Sequence, residues 1–180
     1  GQCPPRSAAR RESSPDHLER LGEFLHRMQR PREAVQVWRQ IAVADSATDW
    51  LDVSRILARY GYLDDALAAS KNALERDPEQ IESWRQHLDV LLARDDDDLA
   101  IETVDRMQDV KPDDFDWQQQ AWDLQATTIV AADRLDEQSE QLQTRLSRGP
   151  DDAGKLWVLA LLHDAAGNAE TGAKHQRAGD

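Results

Sequence analysis

Residues 50–78 read WLDVSRILARYGYLDDALAASKNALERDP, and residues 84–112 read WRQHLDVLLARDDDDLAIETVDRMQDVKP. Aligned, the two segments pair Trp50 with Trp84, Ala66 with Ala100 and Pro78 with Pro112, each pair 34 residues apart. Three unrelated residue types recurring at one period mark an internal repeat. A repeat has to be recognised before its parts are read, because its units are stable only when stacked together.

Within the first segment, Trp50, Val53, Ile56, Leu57 and Tyr60 keep the spacing of a helix with one apolar stripe, and Gly61 stops it. Leu63 precedes Asp64 and Asp65, whose carboxylates suit the positive end of a new helix. That helix runs through Ala66, Leu67, Ser70, Ala73 and Leu74 to Asp77–Pro78, where proline turns its predecessor away from α geometry. The unit is a helical hairpin.

Trp50, Ala66, Ala73 and Pro78 resemble the tetratricopeptide consensus of an early Trp, two small packing residues and a closing Pro, and the period resembles it too. The third unit is similar through Trp84, Leu88, Leu91, Ala100 and Pro112, with Met107 at a place usually small. The first resembles it more weakly, at Leu18, Leu21, Gly22, Leu25 and Ala34, with Trp38 and Ile41 completing the second helix. The resemblance implies an all-α fold: an α-solenoid of stacked antiparallel helix hairpins coiling into a right-handed superhelix.

Pro112 and Pro150 are 38 residues apart, four more than the period, and four residues are about one helical turn. The extra turn is assigned to a lengthened first helix from about Asp116 to Ala132, with Trp117, Ala121, Leu124 and Thr128 on one stripe. Its partner carries Leu135, Ser139, Leu142 and Leu146. A fifth unit begins with Leu156, Trp157, Ala160, Leu161 and His163 and is expected to break at Gly167–Asn168. The expected organisation is a disordered basic leader over 1–14 and a solenoid over 15–168. Its units fall at about 15–46, 47–80, 81–114, 115–152 and 153–168, and a frayed or partial capping helix follows over 169–180.

Composition narrows the function classes. The chain has 180 residues, 39% hydrophobic and 32% charged, and no apolar run long enough for a transmembrane helix. No signal peptide is recognisable, so a cytoplasmic location is the default expectation. Cys3 is the single cysteine and has no partner for an intramolecular disulfide. Net charge is −13, divided as +3 over residues 1–44 and −16 over the rest, a field that repels phosphate backbones and argues against nucleic acid. Arg6, Arg10 and Arg11 lack interleaved aromatics and read as part of a solvated leader.

No catalytic, metal or cofactor site is expected. Asp95–Asp98 lacks the alternation, glycine and distal Glu of a calcium loop and falls where each repeat turns between its helices. Asp113, Asp114 and Asp116 stand at the next helix start. His17, His26, His87, His163 and His175 include no zinc-binding pair flanking a Glu, and His87 and His163 are placed on or near packing faces. No nucleophile elbow, phosphate loop or Cys–His arrangement occurs.

The resemblance implies binding of another protein or peptide along the first helices. Opposite the packing stripe, helix geometry places Glu19, Arg20, Glu23 and Arg27 in the first unit; Leu51, Asp52, Arg55 and Arg59 in the second; and Arg85, Gln86, Asp89 and Leu92 in the third. Glu19, Glu23, Asp52, Glu82 and Gln86 occupy the places where chaperone-binding members of the family hold a C-terminal carboxylate, so that ligand is not expected. The alternatives are a spacer, self-association through the C-terminal repeat edge, or a regulatory arm of a larger, possibly enzymatic, protein.

Overall fold

The computed structural model describes residues 14–148 and 153–178, with side chains as far as residue 167. Nine helices and no strand occur among the described residues: α1 (Pro15–Arg27), α2 (Pro31–Arg39), α3 (Ala47–Arg59), α4 (Leu63–Arg76), α5 (Ile81–Ala93), α6 (Asp97–Met107), α7 (Phe115–Ala131), α8 (Leu135–Arg148) and α9 (Ala153–Ala178). The leader expected over 1–14 lies outside the described residues except for Ser14, whose Oγ accepts the His17 N–H at 3.4 Å and caps α1. Ser46 and Asp114 cap α3 and α7 in the same way, at 3.1 Å each.

One joint recurs in four hairpins. Gln29, Gly61, Asp95 and Asp133 hold positive φ angles of 58°, 80°, 61° and 55°. In each case the N–H of the following residue reaches back to the carbonyl five residues earlier: Arg30 to Leu25 and Tyr62 to Leu57 at 2.9 Å, Asp96 to Leu91 at 3.0 Å, Arg134 to Ile129 at 3.1 Å. This Schellman-type closure satisfies carbonyls that a helix end leaves free. It needs a left-handed residue, and three of the four are not glycine. The left-handed well costs an L-residue about 1–2 kcal/mol, against which glycine loses somewhat more chain entropy on folding. Gln29→Gly, Asp95→Gly and Asp133→Gly are therefore each expected to stabilise the fold by about 0.5–1 kcal/mol, read as higher urea midpoints.

The joints also locate the extra turn. They fall 32, 34 and 38 residues apart, and α7 has 17 residues where α1, α3 and α5 have 13. The insertion is in the first helix of the fourth hairpin, and Trp117, Ala121, Leu124 and Thr128 are all buried along it.

The hairpins form an all-α stack of the tetratricopeptide kind. Each first helix packs on its own second helix; α4 bridges to α5 and α6 to α7, while α3, α5, α7 and α9 follow one another directly. Three adjoining apolar clusters make up the core. The first is built on Leu25, Trp38, Val53 and Leu57, the second on Trp84, Leu91, Met107 and Trp117, and the third on Ile129, Val158 and Leu162. Leu67 packs against both of the first two. Trp38 stacks on Tyr60 with ring centroids 4.7 Å apart, and His26 Nδ1 lies 2.7 Å from the Tyr62 hydroxyl, so an aromatic seam joins the first hairpin to the second. Every buried side-chain N or O among the described residues has a hydrogen-bond partner.

Three expectations change. Leu21 is exposed, and with Phe24 and Met28 it forms an apolar row on the outer side of α1. In α9 the buried stripe is Gly154, Val158 and Leu162, whereas Leu156 and Trp157 are 51% and 38% exposed and Ala160 faces solvent. The Trp122 indole lies against the backbone at Gly154, and this contact sets the rotation of the helix. Finally, α9 does not break at Gly167–Asn168 but continues to Ala178. Gly167 has no positive φ, and one glycine inside a helix costs about 1 kcal/mol without ending it.

Candidate interaction face

Counting back from the left-handed residue of each joint aligns the first helices. Six residues before it stand Glu23, Arg55, Asp89 and Thr127, a row of alternating sign ending in a hydroxyl. Nine before it stand Arg20, Asp52, Gln86 and Leu124. The residues expected to face a ligand thus lie on consecutive helices along one side of the stack.

Their charges are linked from helix to helix. Arg59 of α3 pairs with Glu19 of α1 at 2.9 Å. Arg55 lies 3.7 Å from Asp52 and 3.7 Å from Glu82 of α5, and Arg85 lies 3.8 Å from the same Glu82 carboxylate. Arg27 pairs with Glu23 one turn away. Gln86 Nε2 donates to Ser54 Oγ at 3.3 Å, and Ser54 Oγ donates to the Ala66 carbonyl at 2.9 Å, so this residue is partly committed to structure. Burial pushes the Asp89 carboxyl above its usual range; Arg85 opposes the shift and Glu82 adds to it. Asp89 makes no ion pair or hydrogen bond with a described residue, which makes it the least satisfied acid of the row.

Two hollows interrupt this face. One of about 270 Å³ lies between α1 and α3, bounded by Asp16, Glu19, Asp52, Arg55, Ile56 and Arg59. Another of about 370 Å³ lies between α5 and α7, where Arg85, Asp89 and Leu92 meet Leu124, Thr127 and Ala131. Arg20 and Arg27 are exposed outside both hollows.

Leu51 does not belong to the surface, being 3% exposed. The helix α3 is covered by α2, α4 and α5 together, so its buried arc is wider than a single stripe and takes in a residue on the margin. Leu92, half-buried, does line the second hollow. The contribution of α7 was not anticipated. Its signal is the alignment of Thr127 with Asp89 at a separation of 38, the same as between the joints, which the 34-residue period conceals. Of the two histidines placed near packing faces, His87 is half-buried and His163 is exposed.

Among the described residues no group of three or more His, Cys, Asp or Glu is arranged to hold a metal ion, and no helix is long and apolar enough to cross a membrane. No family model matches the chain, and no curated protein matches it in sequence. Solved structures similar to it include "MamA 41-end from Desulfovibrio magneticus RS-1", at 17% identity over 91% of this chain and 91% of that one with a TM-score of 0.46. Another, titled "Crystal structure of MamA", is 13% identical over 88% of this chain and 82% of that one, with a TM-score of 0.47. A likeness of this degree assigns neither family nor activity.

Proposed function

We propose that the chain is a tetratricopeptide-type interaction module that receives an extended peptide or a partner helix along α1, α3, α5 and α7. The observation that carries this reading is the alternating row Glu23, Arg55, Asp89 and Thr127, flanked by the two hollows. Stacked hairpins present such a row as an extended surface, in which each helix offers one contact to a partner lying across the stack. Apart from the Glu19–Arg59 contact, the one cross-helix pair of this face, Arg55–Glu82, is long and exposed. Pairs of that kind contribute little to stability and exchange readily for a ligand's charges.

A partner for this face carries both signs, because a uniformly charged segment meets repulsion at every second helix. The test uses partner proteins captured by the full chain. With Arg55→Glu and Arg85→Glu combined, a partner held on the row is expected to lose at least tenfold in affinity while the thermal unfolding curve stays unchanged, since both side chains are exposed. A captured partner that binds the double variant as tightly as the wild type places its contact elsewhere and overturns the reading.

A further inference from the structure

Away from that row, α4, α5 and α6 enclose a hollow of about 490 Å³, within the size range of ligand pockets. His87, which lines it, lies two positions beyond Arg85 and so about 200° round α5 from it.

The hydrogen bonds fix the imidazole. Ser70 Oγ lies 3.0 Å from the Leu67 carbonyl and 2.8 Å from His87 Nδ1, so its single proton serves one of the two and the ring is held through Nδ1 either way. When that proton goes to the Leu67 carbonyl, Nδ1 carries the ring proton and Nε2 the lone pair. Nε2 has no hydrogen-bond partner among the described residues, and since no buried side-chain N or O is unsatisfied, it opens to the solvent in the hollow. Burial, reinforced by the nearby cations Lys71 and Arg106, lowers the His87 pKa to about 4 and keeps the ring neutral near pH 7. The site thus offers a neutral imidazole anchored through Nδ1, and Nε2 is an acceptor when the Ser70 proton rests on Leu67.

Around it the charges are polarised. Lys71 and Glu75 stand one turn apart on α4, and Arg106, in the last turn of α6, is followed three residues later by Asp109 in the turn beyond it. Lys71 and Arg106 are near enough to His87 to act on its ring, and in both segments the acid follows its cation along the chain. None of the four forms an ion pair with a described residue, in contrast to the row described above. Leu74, Trp84 and Val110 also line the hollow.

We propose that this hollow binds an extended segment of a partner protein carrying an acidic and a basic side chain two residues apart. The acid pairs with Lys71 and Arg106, the base with Glu75 and Asp109, the aliphatic stems lie on Leu74, Trp84 and Val110, and a backbone N–H donates to His87 Nε2. The spacing follows from geometry. Alternate residues of an extended chain face the same side about 6.6 Å apart, and Lys71 and Glu75 are separated by about 6 Å of helical rise.

The test titrates the full, isotope-labelled chain with three amidated, acetylated peptides, Ala-Glu-Leu-Lys-Ala, Ala-Glu-Leu-Glu-Ala and Ala-Lys-Leu-Lys-Ala, following the ring resonances of His87 and the indole N–H of Trp84. The mixed peptide is expected to shift both and to bind at least about tenfold more tightly than either like-charged one. Lys71→Glu with Arg106→Glu should transfer the preference to the dibasic peptide, and Glu75→Lys with Asp109→Lys to the diacidic one. All four positions are exposed, so neither double variant disturbs the core. Arg55→Glu with Arg85→Glu should leave the mixed peptide's binding unchanged, which separates this site from the first-helix face. Equal binding of the three peptides, an unmoved His87 ring, or reversal variants that retain the wild-type preference would overturn the proposal.

Discussion

Replacement of Trp38 by alanine is expected to lower the unfolding free energy by about 3–5 kcal/mol. The indole is fully buried, stacks on Tyr60 and donates its N–H to the Glu19 carbonyl at 3.1 Å. Alanine leaves a cavity and takes from the Glu19 carbonyl the second of its partners, and it also removes the surface on which the second hairpin rests. In a stack whose units touch mainly their neighbours, stability is the sum of unit and interface contributions, and this one change weakens both. A domain of ordinary stability has about 5–15 kcal/mol to lose, so the first hairpin should detach before the remainder unfolds. Urea titration would show a lower midpoint together with a reduced slope, because less surface remains to be exposed in the main transition. Trp84→Ala is expected to cost a similar amount, since Trp84 is 8% exposed and donates to the Pro78 carbonyl at 2.7 Å. A loss below about 1 kcal/mol in both variants would contradict the core described here.

The second large effect comes from adding a single methyl group. A Cβ at Gly22 would lie 2.2 Å from Trp38 Nε1 and 2.4 Å from its Cε2, and the ring has no space into which to retreat. Gly22→Ala is expected to destabilise by about 1–3 kcal/mol through overpacking, even though alanine is the better helix former by about 1 kcal/mol. Gly167→Ala is the matched control. Nothing lies within 4 Å of a Cβ there, so the same chemical change should stabilise α9. Opposite signs for the two variants in parallel thermal melts are the expected result; a neutral or stabilising Gly22→Ala would mean that the Trp38 ring does not lie against α1.

These two residues also show what the sequence could convey. Trp38 and Gly22 were both visible as repeat positions, but their contact was not, because the resemblance of the first unit is weak and a glycine in a helix does not name its neighbour. In the two central hairpins the period was unbroken, and Val53, Leu57, Ala66, Ala73, Leu88, Leu91 and Ala100 are buried as their spacing implied. In α9 the spacing carried little information. Apolar residues occur nearly all round its first half, so Leu156 and Trp157 fitted a stripe as well as Val158 and Leu162 did. The choice was made by a tertiary contact between Gly154 and Trp122 that no local pattern encodes.

The candidate face was partly legible for a related reason. Charge opposite a packing stripe located Arg55, Arg59, Arg85 and Asp89, yet the single-stripe assumption placed Leu51 outside although three other helices surround α3. The alignment of Thr127 with that row required knowing where the extra turn of α7 had been inserted. The hollow at His87 was beyond sequence reading, since it forms only where α4, α5 and α6 meet and its lining residues come from three separate segments.

The four joints between helices are closed by main-chain atoms, and their left-handed positions hold Gln, Gly, Asp and Asp. A coupling made of peptide groups asks of its side chain only that the left-handed conformation be tolerable, so glycine and polar residues can replace one another there, at some cost in stability, without shifting one helix against the next. A chain joined in this way is free to wander far from its ancestral signature while its architecture persists, and kinship in such a lineage would be recorded in the hinges long after the letters have ceased to agree.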